Sequence, residues 1–578
     1  MTEAERLKRL IDTATGRIPA ELVIKNCRIV NPLTKSAEKG DIAVQDGTIA
    51  GCGEYSGITE IDGHGLFATA GLIDAHVHIE SAMCTPEAFA AMVIPKGTTC
   101  VIADPHEIAN VKGADGIHFM MNSARRTPLK AKFMIPSCVP ATPFEDSGAE
   151  LTAEDISRLL QEPDTAGLGE MMNAQGVCAC DSSVLEKILV SLRSGKTLDG
   201  HAPSLSGKLL SAYRAAGITT DHECTAPEEV TERIEKGMYV LLRQGSAAQN
   251  LKSLIPAVTG ANSRRCLMCT DDKHPQDIIK SGHINGNLRI AVSGGLDPFT
   301  AVAMATINTA ECYGLKNQGL IAPGFRADLV LWKNLENFDA EMVFIDGILQ
   351  ARDGKPLFST PNRTDRSMTH TVNIKPFSED ALKIRLKSDR AKVISLVPHG
   401  ITTGCSVRKV RLSEDGTFEC KMNRGIQKLV VMERHRATGK TGLALIENYG
   451  ITNGAAATTV AHDSHNIIAA GDNDGDITAA INALNQAGGG MVLVSGGKIL
   501  GLLPLPVAGL MSDRSGEETA EELGKLLETA WAELGISREI EPFMTLSFLA
   551  LPVIPKLKLT PRGLFDVESF KFTGLEAD

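Results

Sequence analysis

Gly71-Leu-Ile-Asp-Ala-His-Val-His-Ile-Glu80 is the stretch on which the reading of this chain turns. Leu66 to Ile73 is apolar and reads as a buried strand, and residues i and i+2 of a strand share a face. His76 and His78 thus present two imidazoles on one side where the strand runs out, a placement suited to holding a metal ion. Alone, such a pair could equally be one buried and one exposed histidine. The residues downstream carry the weight.

Outward from this strand the chain alternates apolar strand and helix, the mark of a parallel α/β domain. Eight candidate strands end near His78, Asp104, Pro136, Glu170, His201, Glu223, Gln244 and Asp271. Eight strands within roughly 200–250 residues fit a (β/α)8 TIM barrel, whose active site lies at the C-terminal strand ends. That barrel is expected over 71–319. Segments 21–70 and 320–365 read as short strands and turns, for example Leu22–Val30, Asp41–Val44, Ala327–Trp332 and Met342–Leu349. They are expected to fold together as a small flanking β-domain. Residues 1–20 begin with a charged amphipathic helix. Over 370–578, strand-like runs at 428–432, 456–461, 466–470 and 491–494 alternate with helical stretches around 475–487 and 517–534. This predicts a C-terminal α/β or α+β domain.

At 578 residues the chain is long enough for several domains. A net charge of −11 and the lack of a dense Lys/Arg block argue against nucleic acid or an anionic membrane as partner. The N-terminal residues carry no signal-type apolar core, and no apolar run is long enough to span a bilayer. Thirteen cysteines, an odd number scattered through predicted strands and helices, suit reduced thiols in a cytoplasmic protein. A homo-oligomer, a dimer, is expected.

Polar residues gather where the barrel strands end: Glu170, His201, His222 and Asp271. Each could be an ordinary turn residue or helix cap. Together with His76 and His78 they suggest one shared site. Six N/O ligands exceed what one tetrahedral zinc uses, which favours two metals bridged by a carboxylate.

The Asp74-Ala-His-Val-His78 run, His201, His222, Asp271 and Gly319-Leu-Ile-Ala-Pro-Gly-Phe-Arg-Ala-Asp-Leu-Val330 resemble the amidohydrolase superfamily. More narrowly, Ala103-Asp-Pro-His-Glu107, Gly169-Glu-Met-Met-Asn173, Asp221-His-Glu223 and Ala461-His-Asp-Ser-His-Asn466 resemble the bacterial adenine deaminases, through nearly the whole chain. The resemblance implies that His76, His78 and Asp271 hold one metal, Glu170 bridges, and His201 with His222 hold the second. Glu170 stands where many superfamily members have a carboxylated lysine. Family precedent implies manganese, with iron or zinc as alternatives.

The implied reaction is adenine to hypoxanthine and ammonia. Two cations would lower the pKa of a bridging water enough to supply hydroxide for attack at C6. Glu223 is the candidate acid at N1, and Asp271 the group that passes a proton to departing ammonia. Asp104, His106 and Glu107 are either substrate-orienting or a capped turn around Pro105. His462-Asp-Ser-His465 is either a lid loop, with His465 in the site, or a surface turn. His283 is expected at the pocket rim or in a structural role, and Met172 is expected to line an apolar base pocket. Rival readings are an N-acetylglucosamine-6-phosphate deacetylase or imidazolonepropionase relative, and a non-catalytic barrel scaffold.

Other signals are weaker. His78-Ile-Glu80 lacks the Pro-Cys-x-x-Cys partner of the zinc nucleobase deaminases. Cys266 and Cys269 sit in a predicted buried strand. Gly439-Lys-Thr441 lacks the earlier glycine of a phosphate loop, which is Arg434. Gly488-Gly-Gly490 reads as a turn.

Overall fold

The computed structural model describes residues 1–360, 365–398, 400 and 402–577. Eight parallel strands form the barrel: β1 (Leu72–Val77), β2 (Thr98–Ala103), β3 (Lys130–Ile135), β4 (Thr165–Met171), β5 (Thr197–Gly200), β6 (Thr220–Asp221), β7 (Tyr239–Arg243) and β8 (Cys266–Cys269). Every predicted strand end falls within two residues of an observed one. β1 to β5 pair in order, as do β6 to β8. The seam between β8 and β1 closes through the Asp271 amide, which donates to His76 O at 2.9 Å. The seam between β5 and β6 closes through Thr219 N to Leu198 O, also 2.9 Å. β1, β2 and β4 are buried along their whole length. That explains why they read as near-continuous apolar runs and not as alternating patterns.

The apolar run Leu66–Ile73 is not one strand. It breaks at Gly71 into Phe67–Ala70, which joins the flanking sheet, and β1. The Gly71 amide donates to Asp328 O at 2.8 Å. A β-carbon there would lie 2.1 Å from Thr99 Oγ1, so only glycine lets the chain cross so close to β2. Met342–Leu349 likewise resolves into a hairpin, Ala340–Ile345 and Ile348–Arg352, turned at Asp346-Gly347 with both φ positive.

One nine-stranded sheet takes strands from both sides of the barrel. Leu329–Trp332 pairs antiparallel with Phe67–Ala70, and Phe67–Ala70 pairs with Ala20–Asn31. Trp332, fully buried, donates Nε1–H to Thr69 Oγ1 at 2.8 Å across this junction. The N-terminal helix, Glu3–Ala14, carries a Thr2/Glu5 capping box.

The C-terminal part is built on an eight-stranded sheet from Arg390–Leu396 to Lys498–Pro504, largely antiparallel. Helix Asp474–Ala487 packs on one face, and helices Gly516–Glu533 and Pro542–Phe548 pack on the other. Gly488, at φ 76°, ends the first of these helices, so the triple glycine is a turn. Ser512 N to Met83 O, at 2.8 Å, ties this part to the barrel mouth. So does Asp146, which is bound by Lys440 at 2.7 Å and by Arg562 at 2.9 Å. No helix among the described residues is long and apolar enough to cross a membrane.

Candidate metal centre

β1 places His76 inside the barrel and His78 one residue past its end, both on one face. Their Nε2 atoms lie 3.1 Å apart. The β8 strand runs out into Asp271, whose backbone takes φ 58°. Asp271 Oδ1 thereby comes within 3.4 Å of His76 Nε2 and 3.1 Å of His78 Nε2. Glu170, near the end of β4, spans the gap between the two halves of the site. Its Oε1 is 3.4 Å from His78 Nε2. Its Oε2 is 2.9 Å from His201 Nδ1 and 3.2 Å from His222 Nε2. All six expected donors therefore converge at the C-terminal strand ends, and Glu170 turns one oxygen to each group of imidazoles.

The hydrogen bonding tests whether this set suits a cation. His78 Nδ1 is 2.9 Å from Asp104 O, and a carbonyl only accepts. The ring proton therefore sits on Nδ1, which leaves the Nε2 lone pair aimed at His76, Asp271 and Glu170. Lone pairs and carboxylates converging in a buried space repel one another. Stranding an ion there without a counter-charge costs several kcal/mol. A divalent cation removes that cost, so the residues present fit a metal site. The groups respond to one another accordingly. Burial would raise the Glu170 carboxyl, yet His201 and His222 hold it well below its usual range. Asp271 is likewise held down against its burial, chiefly by Arg243. Burial lowers His76, whereas the neighbouring carboxylates raise His78, His201 and His222 against their burial, so a cation entering the site would displace protons from those rings.

Around the donors lie the other expected residues. Asp104 Oδ2 accepts the Glu170 amide at 2.9 Å. Gly169 makes this possible, since a β-carbon there would sit 2.2 Å from the same oxygen. His106 Nδ1 lies 3.3 Å from Glu170 Oε1, and its ring meets His78 edge-on at 4.4 Å. Glu107 is bound by His462 and His465 from the C-terminal part. That loop is therefore buried in the barrel mouth and is not a surface turn. Glu223 Oε1 is 3.4 Å from His222 Nε2 and 3.6 Å from His201 Nδ1.

Two expected residues lie elsewhere. His283 is not at a rim: it is fully buried, with Nδ1 2.9 Å from Thr98 Oγ1 and Nε2 3.2 Å from Asp74 Oδ2. Asp74 in turn accepts Thr270 Oγ1 at 2.5 Å. The imidazole thus fills a polar niche between β1, β2 and β8. Met172 packs into the apolar core of the barrel. Cys266 and Cys269 are buried free thiols, and burial pushes Cys266 up to about 12.

Arg243 escaped the sequence reading. It ends β7, is buried, and donates to both Glu223 oxygens and to Asp271 Oδ2 at 2.9 Å. Its signal was available: it is a cation at the end of a predicted strand, facing carboxylates at two other strand ends. Asp199 was missed as well. Its Oδ2 is 4.0 Å from His76 Nδ1, and burial raises its carboxyl to about 7.

A family model described as "Amidohydrolase family" matches residues 67–349, and one described as "Adenine deaminase C-terminal domain" matches 401–571. A protein named adenine deaminase from Nitratidesulfovibrio vulgaris strain DP4 is 51% identical over 99% of both chains. One of that name from Clostridium acetobutylicum is 47% identical over 98% of this chain and 99% of its own. One from Ligilactobacillus salivarius is 43% identical over the full length of both. With matches of this identity and coverage, and with a divalent-metal site of amidohydrolase type at its strand ends, the chain belongs to the adenine deaminase family.

Proposed function

We propose that this site hydrolyses adenine to hypoxanthine and ammonia at a centre of two divalent metal ions. The arrangement of Glu170 carries the reading: one carboxylate whose two oxygens face separate donor sets, His76/His78/Asp271 and His201/His222. When bound, the metals supply Lewis acidity and an activated water at neutral pH. Manganese is the metal we propose, with iron and zinc as alternatives that a mixed imidazole and carboxylate set also accepts.

The side chains divide the proton handling. Water adds to C6 and N1 gains a proton, then the amine gains a second proton and leaves as ammonia. Glu223 starts ionised, because Arg243 outweighs the effect of burial. In this role it accepts the first proton from the attacking water at a carboxylate oxygen and delivers it to N1. Asp271 takes the second proton from the new C6 hydroxyl, which becomes the carbonyl as the C6–N bond breaks, and carries it to the leaving amine. Arg243, bound to both carboxylates, keeps the two acceptors apart and ready. Asp104 and His106 orient the groups around Glu170.

The relatives' printed names favour this reading over a deacetylase or an imidazolonepropionase relative. We also propose a cytoplasmic location, in keeping with the thirteen free cysteines, and a homodimeric state. For the chain we propose divisions at 1–20, 21–70 with 320–365, 71–319 and 370–578.

The test is an ultraviolet and ammonia-release assay on adenine with protein loaded with manganese. Turnover that disappears on chelation and returns with two metal equivalents is expected. An unchanged adenine spectrum with fully loaded protein would overturn the reading.

A further inference from the structure

We propose that the C-terminal part completes the active centre by clamping Glu107 between two imidazoles, making His462 and His465 positioning residues for the barrel's catalytic face. This inference rests on the adenine-deaminating reading of the site and assigns the loop a part in it.

The loop from Ala461 to Asn466 is built to hold a shape. Arg434, fully buried, donates Nε–H to His465 O. His435 Nε2–H donates to Ser464 O at 2.7 Å, and Asn466 Nδ2 donates to Asp146 O at 2.9 Å. The His462 ring stacks on Phe548 at 4.6 Å. From this platform His462 Nδ1 meets Glu107 Oε1, and His465 Nε2 meets Glu107 Oε2.

Two histidines and a carboxylate could also be a third metal site. The tautomer argues otherwise. His465 Nδ1 accepts the Ala461 amide at 3.1 Å, so in the neutral ring the proton sits on Nε2. Facing Glu107 is therefore an N–H donor, whereas His78 turns a lone pair toward its neighbours. Both Glu107 oxygens are held by donors from another part of the chain, a charge-assisted arrangement with fixed geometry.

Glu107 in turn fixes its neighbour. His106 Nε2 lies 3.4 Å from Glu107 Oε1, while its Nδ1 faces Glu170 Oε1. Orientation passes from the C-terminal loop through Glu107 and His106 to the bridging carboxylate. A loss of about 1 Å in such placement can cost 10²-fold in rate.

The test uses the full-length, manganese-loaded enzyme and four variants: His462→Ala, His465→Ala, His462→Asn and His465→Gln. Asparagine offers an N–H near the Nδ1 position and glutamine one near Nε2. The alanine variants are expected to lose at least ~10-fold in kcat, with KM for adenine little changed and metal content still equal to that of wild type. The two amide variants are expected to recover most of the lost kcat. Full kcat in either alanine variant overturns the clamp. So does loss of a metal equivalent in the amide variants, which would make these histidines ligands. If the alanine variants do not fold, the amide variants decide alone: near-wild-type kcat supports the clamp, and lost kcat in folded protein overturns it. An inactive wild type would instead strike at the adenine reading itself.

Discussion

Glu223 shows how one side chain's role depends on its neighbours. A carboxyl beside His222 could start as an acid or as a base, and sequence alone favoured the acid. Arg243 reverses that starting state, because its guanidinium holds both oxygens. Glu223→Gln removes the proton carrier without touching a metal donor. It is expected to keep wild-type metal content, measured by elemental analysis, and to lose about 10²–10⁴-fold in kcat. Turnover near wild type would show that another group moves the proton. Asp104, His106 and Glu107 were recognisable only as polar residues after a strand, because the partners that define them lie far along the chain. The bond between His462 and Glu107 spans 355 positions, a separation that leaves no local pattern to read.

At the scale of elements, the barrel strands were legible because burial on both faces writes them as continuous apolar runs, and their polar ends mark where they stop. β6 was the least visible in length, with only Thr220 and Asp221 in ladder geometry. The break at Gly71 was invisible, since apolar residues continue across it. Gly71→Ala is expected to cost about 1–3 kcal/mol through the clash with Thr99, seen as a lower unfolding temperature. Unchanged stability would mean that β1 and β2 can part there freely. The loop before Asp146 offers a pH test. Glu145 accepts Thr142 N at 2.9 Å and Thr142 Oγ1 at 3.0 Å, and burial, then Asp463, raises its carboxyl from 4.5 to about 8. Unfolded chain releases this proton near 4.5, while folded chain keeps it to about 8. The stability it contributes is therefore lost as pH rises through that window. Glu145→Gln should gain on wild type by roughly 3–4 kcal/mol between pH 5 and 8, read from melting curves. A constant difference across pH would place the proton elsewhere.

Across the whole molecule, metal binding and folding should be linked. The donors come from five barrel strands, so an unfolded chain offers no comparable site. Binding at a thousandfold excess over Kd stabilises by about 4 kcal/mol per site. Chelation is expected to lower the unfolding temperature of wild type by several degrees, and manganese to restore it. His76→Ala should blunt that response. An equal response in the variant would show that the ion sits elsewhere. The general architecture could be anticipated from strand and helix alternation. How the C-terminal part meets the barrel was anticipated only at the His462–His465 loop, because the rest of the docking depends on pairs such as Arg562 with Asp146 and on helix faces with no shared sequence signal.

The flanking sheet also sets an order of events during synthesis. Phe67–Ala70 leaves the ribosome early but finds its neighbour, Leu329–Trp332, only after every barrel strand has been made. Until then a buried-type strand has an open edge, a template for pairing with a second nascent chain. A chain terminated between the last barrel strand and Leu329 should therefore accumulate as insoluble aggregate rather than as a smaller, folded barrel.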